Sequence, residues 1–315
     1  MLHVPEDLLG REVELACVTV TAEMIADYAH AVGDTPAATG EAPPTFCLSM
    51  RRGMTPEVPL PPDVFGVYGG HDLEFQRPIR AGEQYRITGR IAEVYEKIGR
   101  SGTLTVVVRD ATVCELTGAV AARIVERQII RKRPQPTTAA AGPERPSPAA
   151  ARMVTDPSEE GTFAGRRDAT STAATEPPVD DLDLGHELGP WRRSTPTADA
   201  IARYAGTADI AEPLFTSAPT ARGLGYRGVV VPGPMLAAFL EHFVRRELPG
   251  WRLERLGTTF RVPTITGDTI TLSGVVTERH ELPDGERLVI DLLIEHSDGE
   301  RAVTGTATLR RLNAA

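Results

Sequence analysis

Seven histidines are scattered through this 315-residue chain. His30, His186, His242, His280 and His296 fall at no spacing that would bring two or three imidazoles onto one ion. Glu241-His242 is not followed by a second histidine four residues on. Cys17, Cys47 and Cys114 are odd in number and lack metal-type spacing, so they read as free thiols of a reducing compartment. No metal site is expected. There is no Gly-x-Ser-x-Gly elbow to raise a serine nucleophile. Gly223-Leu224-Gly225-Tyr226-Arg227-Gly228 has the glycine spacing of a dinucleotide loop, but no apolar strand precedes it and a β-branched run follows it. No nicotinamide, and no other cofactor, is expected. His71, heading a strand, and the carboxylates Asp34, Asp209 and Glu212, in loops that follow helices, are ionisable groups that none of these patterns uses.

The elements that position these groups occur twice. Thr21-Ala22-Glu23-Met24-Ile25-Ala26-Asp27-Tyr28-Ala29 returns as Thr197-Ala198-Asp199-Ala200-Ile201-Ala202-Arg203-Tyr204-Ala205, and Phe75-Gln76-Arg77-Pro78 returns as Phe260-Arg261-Val262-Pro263. Gly82-Glu83 and Gly89 follow the first copy as Gly267-Asp268 and Gly274 follow the second. The chain therefore reads as a tandem pair of one structural unit. In the first copy a strand over 11–20 leads to a helix capped by Thr21 and stopped at Gly33-Asp34. A second helix is expected near Pro44, and strands over 71–77, 84–96, 102–114 and 119–131. In the second copy a helix runs from Thr197 to Gly206 and a long loop covers 207–228. A helix from Pro234 to about Pro249 then carries Leu236, Phe239, Leu240, Phe243 and Val244 on one face. Strands follow at 252–262, 268–281, 286–297 and 300–311. One helix packed in an antiparallel sheet, made twice, is an α+β arrangement. Residues 134–180 are rich in Pro, Ala, Thr and Ser, and read as a flexible linker between units at 1–133 and 181–315.

A net charge of −9 and a pI near 5.4 argue against nucleic acid as a partner. Arg131-Lys132-Arg133, the densest basic stretch, reads as a solvated strand end. No apolar run is long enough to span a membrane, and Met1–Asp7 has no secretory signal, so a cytoplasmic protein with no membrane partner is expected.

The order of helix, Gly-Asp loop, helix beginning at a proline, then Phe-x-x-Pro-x-x-x-Gly-[Asp/Glu] and long strands resembles the MaoC-like hydratase/dehydratase family. Gly69-Gly70-His71-Asp72-Leu73-Glu74-Phe75-Gln76-Arg77-Pro78 is similar to the N-terminal dehydratase-like domain of its double-hotdog members. Gly225-Tyr226-Arg227-Gly228-Val229-Val230-Val231-Pro232-Gly233-Pro234-Met235-Leu236 is similar to their C-terminal domain. The resemblance implies two hotdog domains, each a central helix wrapped by a curved sheet. It also implies reversible hydration of a 2-enoyl thioester on CoA or an acyl carrier protein, in fatty acid or polyketide metabolism, and a possible homodimer.

The family's acid–base string is Asp, x, Asn, Pro, x, His. Here Asp209-Ile210-Ala211-Glu212-Pro213-Leu214-Phe215 keeps the Pro, puts Glu212 in the Asn place and Phe215 in the His place, and leaves Asp209 one residue too far out. Asp34-Thr35-Pro36-Ala37-Ala38 keeps only the Asp and Pro. Neither copy holds the full dyad. The resemblance then implies Asp209, Glu212, His71 and Asp34 as replacement catalytic groups. Gly228, Gly233 and the Pro234 helix start would present backbone N–H groups to a thioester carbonyl, and Phe215 would lie at the substrate. The alternatives are the same scaffold performing another thioester reaction (hydrolysis, conjugate addition or cyclisation), and a non-catalytic partner of an active subunit with Phe215 and Pro232 filling its pocket.

Overall fold

The computed structural model describes residues 8–35, 39–51, 56–99, 102–133 and 182–313. The proposed linker and the Pro36-Ala37-Ala38 string lie outside the described residues. Ten antiparallel strands form one sheet. Five come from the first copy: β1 (Val13–Thr19), β2 (Val64–Phe75), β3 (Gln84–Gly99), β4 (Gly102–Glu115) and β5 (Val120–Lys132). Five come from the second: β6 (Glu187–Ser194), β7 (Arg252–Phe260), β8 (Thr269–Leu282), β9 (Gly285–His296) and β10 (Arg301–Leu312). Their order is β1-β3-β4-β5-β2-β7-β10-β9-β8-β6. Read outward from the middle, 2-5-4-3-1 on one side matches 7-10-9-8-6 on the other, so the halves are related by a pseudo-two-fold at the β2–β7 seam. There Leu73 faces Leu256 and Glu74 faces Arg255.

The repeated residues perform repeated jobs. Thr21 Oγ1 accepts the Met24 N–H at 3.2 Å and caps α1 (Ala22–Val32), and Thr197 Oγ1 accepts the Ala200 N–H at 3.3 Å and caps α3 (Ala198–Thr207). After Phe75, the N–H groups of Gln76 and Arg77 both donate to the Ala121 carbonyl. After Phe260, those of Arg261 and Val262 both donate to the Ala302 carbonyl. The tyrosines of the helix repeat, Tyr28 and Tyr204, meet at the pseudo-axis with ring centroids 5.8 Å apart.

The central helices are unequal. In the first half a 3-10 turn at Pro44–Phe46 runs into α2 (Cys47–Met50). In the second, α4 (Ala218–Gly223) precedes α5 (Gly233–Glu247), whose Met235, Ala237, Ala238, Phe239, Leu240, Phe243 and Val244 are fully buried in an apolar core shared by both halves.

Three elements differ from the expectations. β2 starts at Val64 rather than at residue 71, because Gly66, Gly69 and Gly70 interrupt the sequence pattern. These glycines mark close approach: a Cβ on Gly70 would run into the Thr258 carbonyl oxygen across the seam. The loop over 207–228 contains α4, started by Ser217, whose Oγ accepts the Thr220 N–H at 3.3 Å. β6 has no counterpart among the expected strands, since Gly189-Pro190 interrupts its alternation at a bulge between Leu188 and Trp191.

Candidate functional site at the seam between the two halves

The pseudo-two-fold creates two equivalent slots. Each lies between the start of a central helix, the Phe-x-x-Pro segment of the same half, the loop after that half's first helix, and the seam strand of the other half. In the second-half slot these are Gly233, Phe260 and Pro263, Leu214 and Phe215, and Tyr68 of β2. In the first-half slot they are Pro44, Phe75 and Pro78, Asp34 and Thr35, and Leu253 of β7. The two have diverged. The second-half cavity holds about 50 Å³, whereas the first-half cavity holds about 410 Å³.

Phe215 is one of the large apolar side chains that line the smaller cavity. Its side chain is buried, with its ring centroid 6.0 Å from that of Tyr68. Phe215 is therefore part of the wall that narrows this cavity. Gly233 belongs to the same packing, since a Cβ there would lie 2.6 Å from the Phe260 ring. Gly228 sits 3.0 Å, by the same measure, from Ile265 Cγ2. Pro234 is buried at the second position of α5.

Behind this closed slot lies a polar cluster. Glu126 on β5 is fully buried and accepts from Arg51, at the end of α2, and its Oε2 lies 3.3 Å from His71 Nε2. Arg109 Nη1 lies 3.9 Å from Glu126 Oε1. Burial alone would raise the Glu126 carboxyl, but Arg51, the His71 hydrogen bond and Arg109 outweigh it and hold it at about 2. Burial lowers the His71 imidazole, which is therefore neutral at pH 7, with its ring 5.6 Å from Tyr68 and 5.3 Å from Phe260. Since an ionised carboxylate only accepts, Nε2 carries the His71 proton. Glu212 is half-buried, and burial, with Glu126 and Glu57 adding to it, raises its carboxyl. Of the sequence candidates, Phe215 lines this slot, while His71 is buried behind its Tyr68 and Phe260 walls. Asp209 does not join them: it is exposed at the end of α3, in left-handed backbone with φ 51°.

Asp34 belongs to the open slot and lines it. Its Oδ2 accepts from Arg245 and its Oδ1 lies 3.3 Å from His242 Nε2, both on α5 of the other half. Arg245 also donates to Glu241, a fully buried carboxylate that accepts from Thr45 Oγ1 at 3.0 Å. Burial raises the Glu241 carboxyl and lowers the His242 imidazole. Arg51, Arg109, Glu126, Glu241, His242 and Arg245 are not among the sequence candidates. A signal exists for Glu126 and Arg109, which occupy inward-facing positions of alternating strands. Ile124, Glu126, Gln128 and Ile130 all point inward, as do Val107, Arg109, Ala111 and Val113.

The comparisons with known proteins agree with this fold. The FAS1-like dehydratase domain region matches residues 7–124. A MaoC-like dehydratase structure superposes with a TM-score of 0.73 at 18% identity, covering 98% of this chain and 99% of that one. A conserved hypothetical protein of Mycobacterium tuberculosis, described as having a double hotdog fold, superposes with a TM-score of 0.64 at 14% identity, covering 96% of each. The chain is a double hotdog. Its first half is similar to the FAS1-like dehydratase region. A MaoC-like dehydratase from Phytophthora capsici shares the fold at a TM-score of 0.61 and 15% identity, over 99% of this chain and 100% of that one. No curated protein matches in sequence.

Two further sequence readings can be placed in this double hotdog. Among the described residues no helix is long and apolar enough to cross a membrane. The turn between β9 and β10 gathers ligand atoms of His296, Asp298 and Glu300 within 4.8 Å of one another. There His296 Nε2 is engaged by Thr264 Oγ1 at 3.0 Å and Asp298 accepts the Glu300 N–H, so the group serves the turn.

Proposed function

We propose that this double hotdog acts on an acyl group carried as a thioester on CoA or an acyl carrier protein, adding or removing water across the α,β bond. The observation that carries this reading is the open slot of about 410 Å³ at the seam. Its size suits a small-molecule substrate. It is walled by both halves, and a fixed carboxylate stands in its lining. Hydration needs a group that takes a proton from water and one that returns a proton to the α-carbon, next to an apolar channel for the acyl chain. The FAS1-like dehydratase region supports the same chemistry.

The test is turnover of 2-enoyl-CoA and 3-hydroxyacyl-CoA of short and medium chain, followed by loss or gain of the conjugated thioester absorbance and by mass spectrometry. Interconversion of the pair supports the reading. A product of different mass points to another thioester reaction on the same scaffold. A non-catalytic second reading is favoured by Phe215 packed into the second-half slot. It predicts no turnover with any chain length, and recovery of the chain bound to an active hotdog subunit.

A further inference from the structure

We infer that the working site has moved to the first-half slot, where Asp34 is the residue that handles the proton and His242 and Arg245 of the other half position it. The inference rests on the acyl-thioester reading and deepens it. It starts from the inequality of two slots that one symmetry operation relates. In a repeat with the family's usual plan, the loop after the second-half helix would carry the chemistry. That loop here delivers Phe215 into its own slot and leaves Asp209 in solvent. The equivalent loop of the first half does the opposite. It directs Asp34 into an open cavity with its side chain only 8% exposed, and no aromatic residue of that loop lines the cavity.

The mounting of Asp34 is built from both halves. Arg245 holds one carboxylate oxygen and His242 faces the other at 3.3 Å. Arg245 is fixed by Glu241, and Glu241 by Thr45 at the start of the first-half central helix. The His242 ring is wedged edge-on against Trp191, with centroids 5.2 Å apart. A carboxylate needed only to end α1 would not require an arginine, a histidine and a buried glutamate on the opposite half. Oδ1 also accepts the Thr35 N–H at 2.7 Å, so Oδ2, which meets Arg245, is the Asp34 oxygen that keeps a lone pair for a water.

One carboxylate so placed can complete the reaction. Asp34 removes a proton from a water as the water oxygen bonds to the β-carbon. The π electrons of the enoyl group shift toward the α-carbon and the thioester carbonyl oxygen. Protonated Asp34 then returns that proton to the α-carbon, the electrons come back from oxygen, and the carboxylate is restored. Both hydrogens of the water end in the product, and no other reactant is consumed. Arg245 lines the same cavity and places a positive charge beside the transient negative one. His242 touches no substrate. It fixes the direction of the Asp34 oxygens.

The experiment compares full-length wild type with D34N, T35W, H242F, H242Q and H71Q, each checked for folding by circular dichroism. Turnover and binding of a saturated acyl-CoA are both measured. D34N is expected to lower kcat by about 100- to 10,000-fold with little change in KM. Thr35 is exposed and lines the slot, so T35W narrows the mouth without touching the core and is expected to weaken saturated acyl-CoA binding about tenfold or more. H242F is expected to lower kcat at constant KM, and H242Q, which keeps a donor near the Nε2 position, to restore most of it. D34N within threefold of wild type, or loss of activity in H71Q alone, returns the site to the second-half slot and overturns the inference. Wild-type binding that T35W abolishes, without turnover of any substrate, removes the hydration reading but upholds the slot. Absence of both binding and turnover in the wild type overturns both.

Discussion

Glu126 is the residue whose replacement tests the buried electrostatics most directly. It is fully buried and neutralises two buried guanidinium groups, those of Arg51 and Arg109, so Glu126→Gln keeps the shape and removes the charge. Its carboxyl sits at about 2 in the folded chain against an ordinary 4.5. A folded value below the unfolded one means the group stabilises the fold above pH 4.5, and that this stability is lost as pH falls from 4.5 toward 2. A gap of about 2.5 pH units, at about 1.4 kcal/mol each, amounts to about 3 to 4 kcal/mol. Breaking a buried ion pair from one side costs about 3–5 kcal/mol, which agrees. Urea unfolding at pH 7 should therefore show E126Q less stable by about 3 to 4 kcal/mol, and the gap between wild type and variant should narrow steadily below pH 4.5. Adding R51M to E126Q should recover part of the loss, because the stranded guanidinium is its source. A cost below about 0.5 kcal/mol at pH 7, or a gap that does not change between pH 7 and pH 3, would refute the reasoning.

Three further outcomes follow from named contacts. Gly70→Ala drives a Cβ into the Thr258 carbonyl oxygen, so strands β2 and β7 must part. Urea unfolding should show a loss of about 2–3 kcal/mol, and a cost near zero would mean the seam is not close-packed there. Thr45→Val removes the hydroxyl donor to buried Glu241 and should cost about 1–3 kcal/mol by the same assay. Arg77 and Arg252, one from each half, line the open slot and are 58% and 59% exposed. Reversing both to Glu should raise KM for an acyl-CoA about tenfold at low salt and less at high salt. It should leave KM for an N-acetylcysteamine thioester, which lacks phosphates, unchanged.

The duplicated fold was legible because the repeated residues serve the backbone. Thr21 and Thr197 each cap a helix, and Phe75 and Phe260 each lead into a pair of N–H groups bound to one carbonyl. Such roles depend on a few neighbouring residues and leave a local pattern. The candidate site was less legible because its contacts are long-range and join the halves. Arg245 meets Asp34 across 211 residues, and Glu241 meets Thr45 across 196. No periodicity encodes such pairs. Of the sequence candidates, Phe215 lines the closed slot and Asp34 the open one, and His71 is buried behind the closed one. Asp209 reaches neither, because the last turn of α3 leaves it in solvent.

The divergence of the two slots has a physical root in one helix position. Counting seven residues from each helix-start proline gives Arg51 from Pro44 and Glu241 from Pro234. The same buried site therefore carries opposite charge in the two halves. A buried charge must be compensated where it stands, and each half does so from a different source. Arg51 draws Glu126 from the sheet of its own half, and that ion pair, with His71 and Arg109, lies behind a slot closed by Phe215. Glu241 draws Arg245 from one turn further along its own helix, and Arg245 has a second donor direction left, which it turns to Asp34 across the seam. One arrangement turns its charges inward and closes. The other exports a charge to the wall of an open cavity. A swap of the pair, R51E with E241R, should then be far more damaging than either position's loss of charge. It would set a new carboxylate against Glu126 and a new guanidinium against Arg245, two buried like-charge pairs with only Arg109 and Asp34 respectively left to offset them. Urea unfolding checks it: a double variant more stable than R51M would show that the two helix positions are not electrostatically equivalent sites of one repeat.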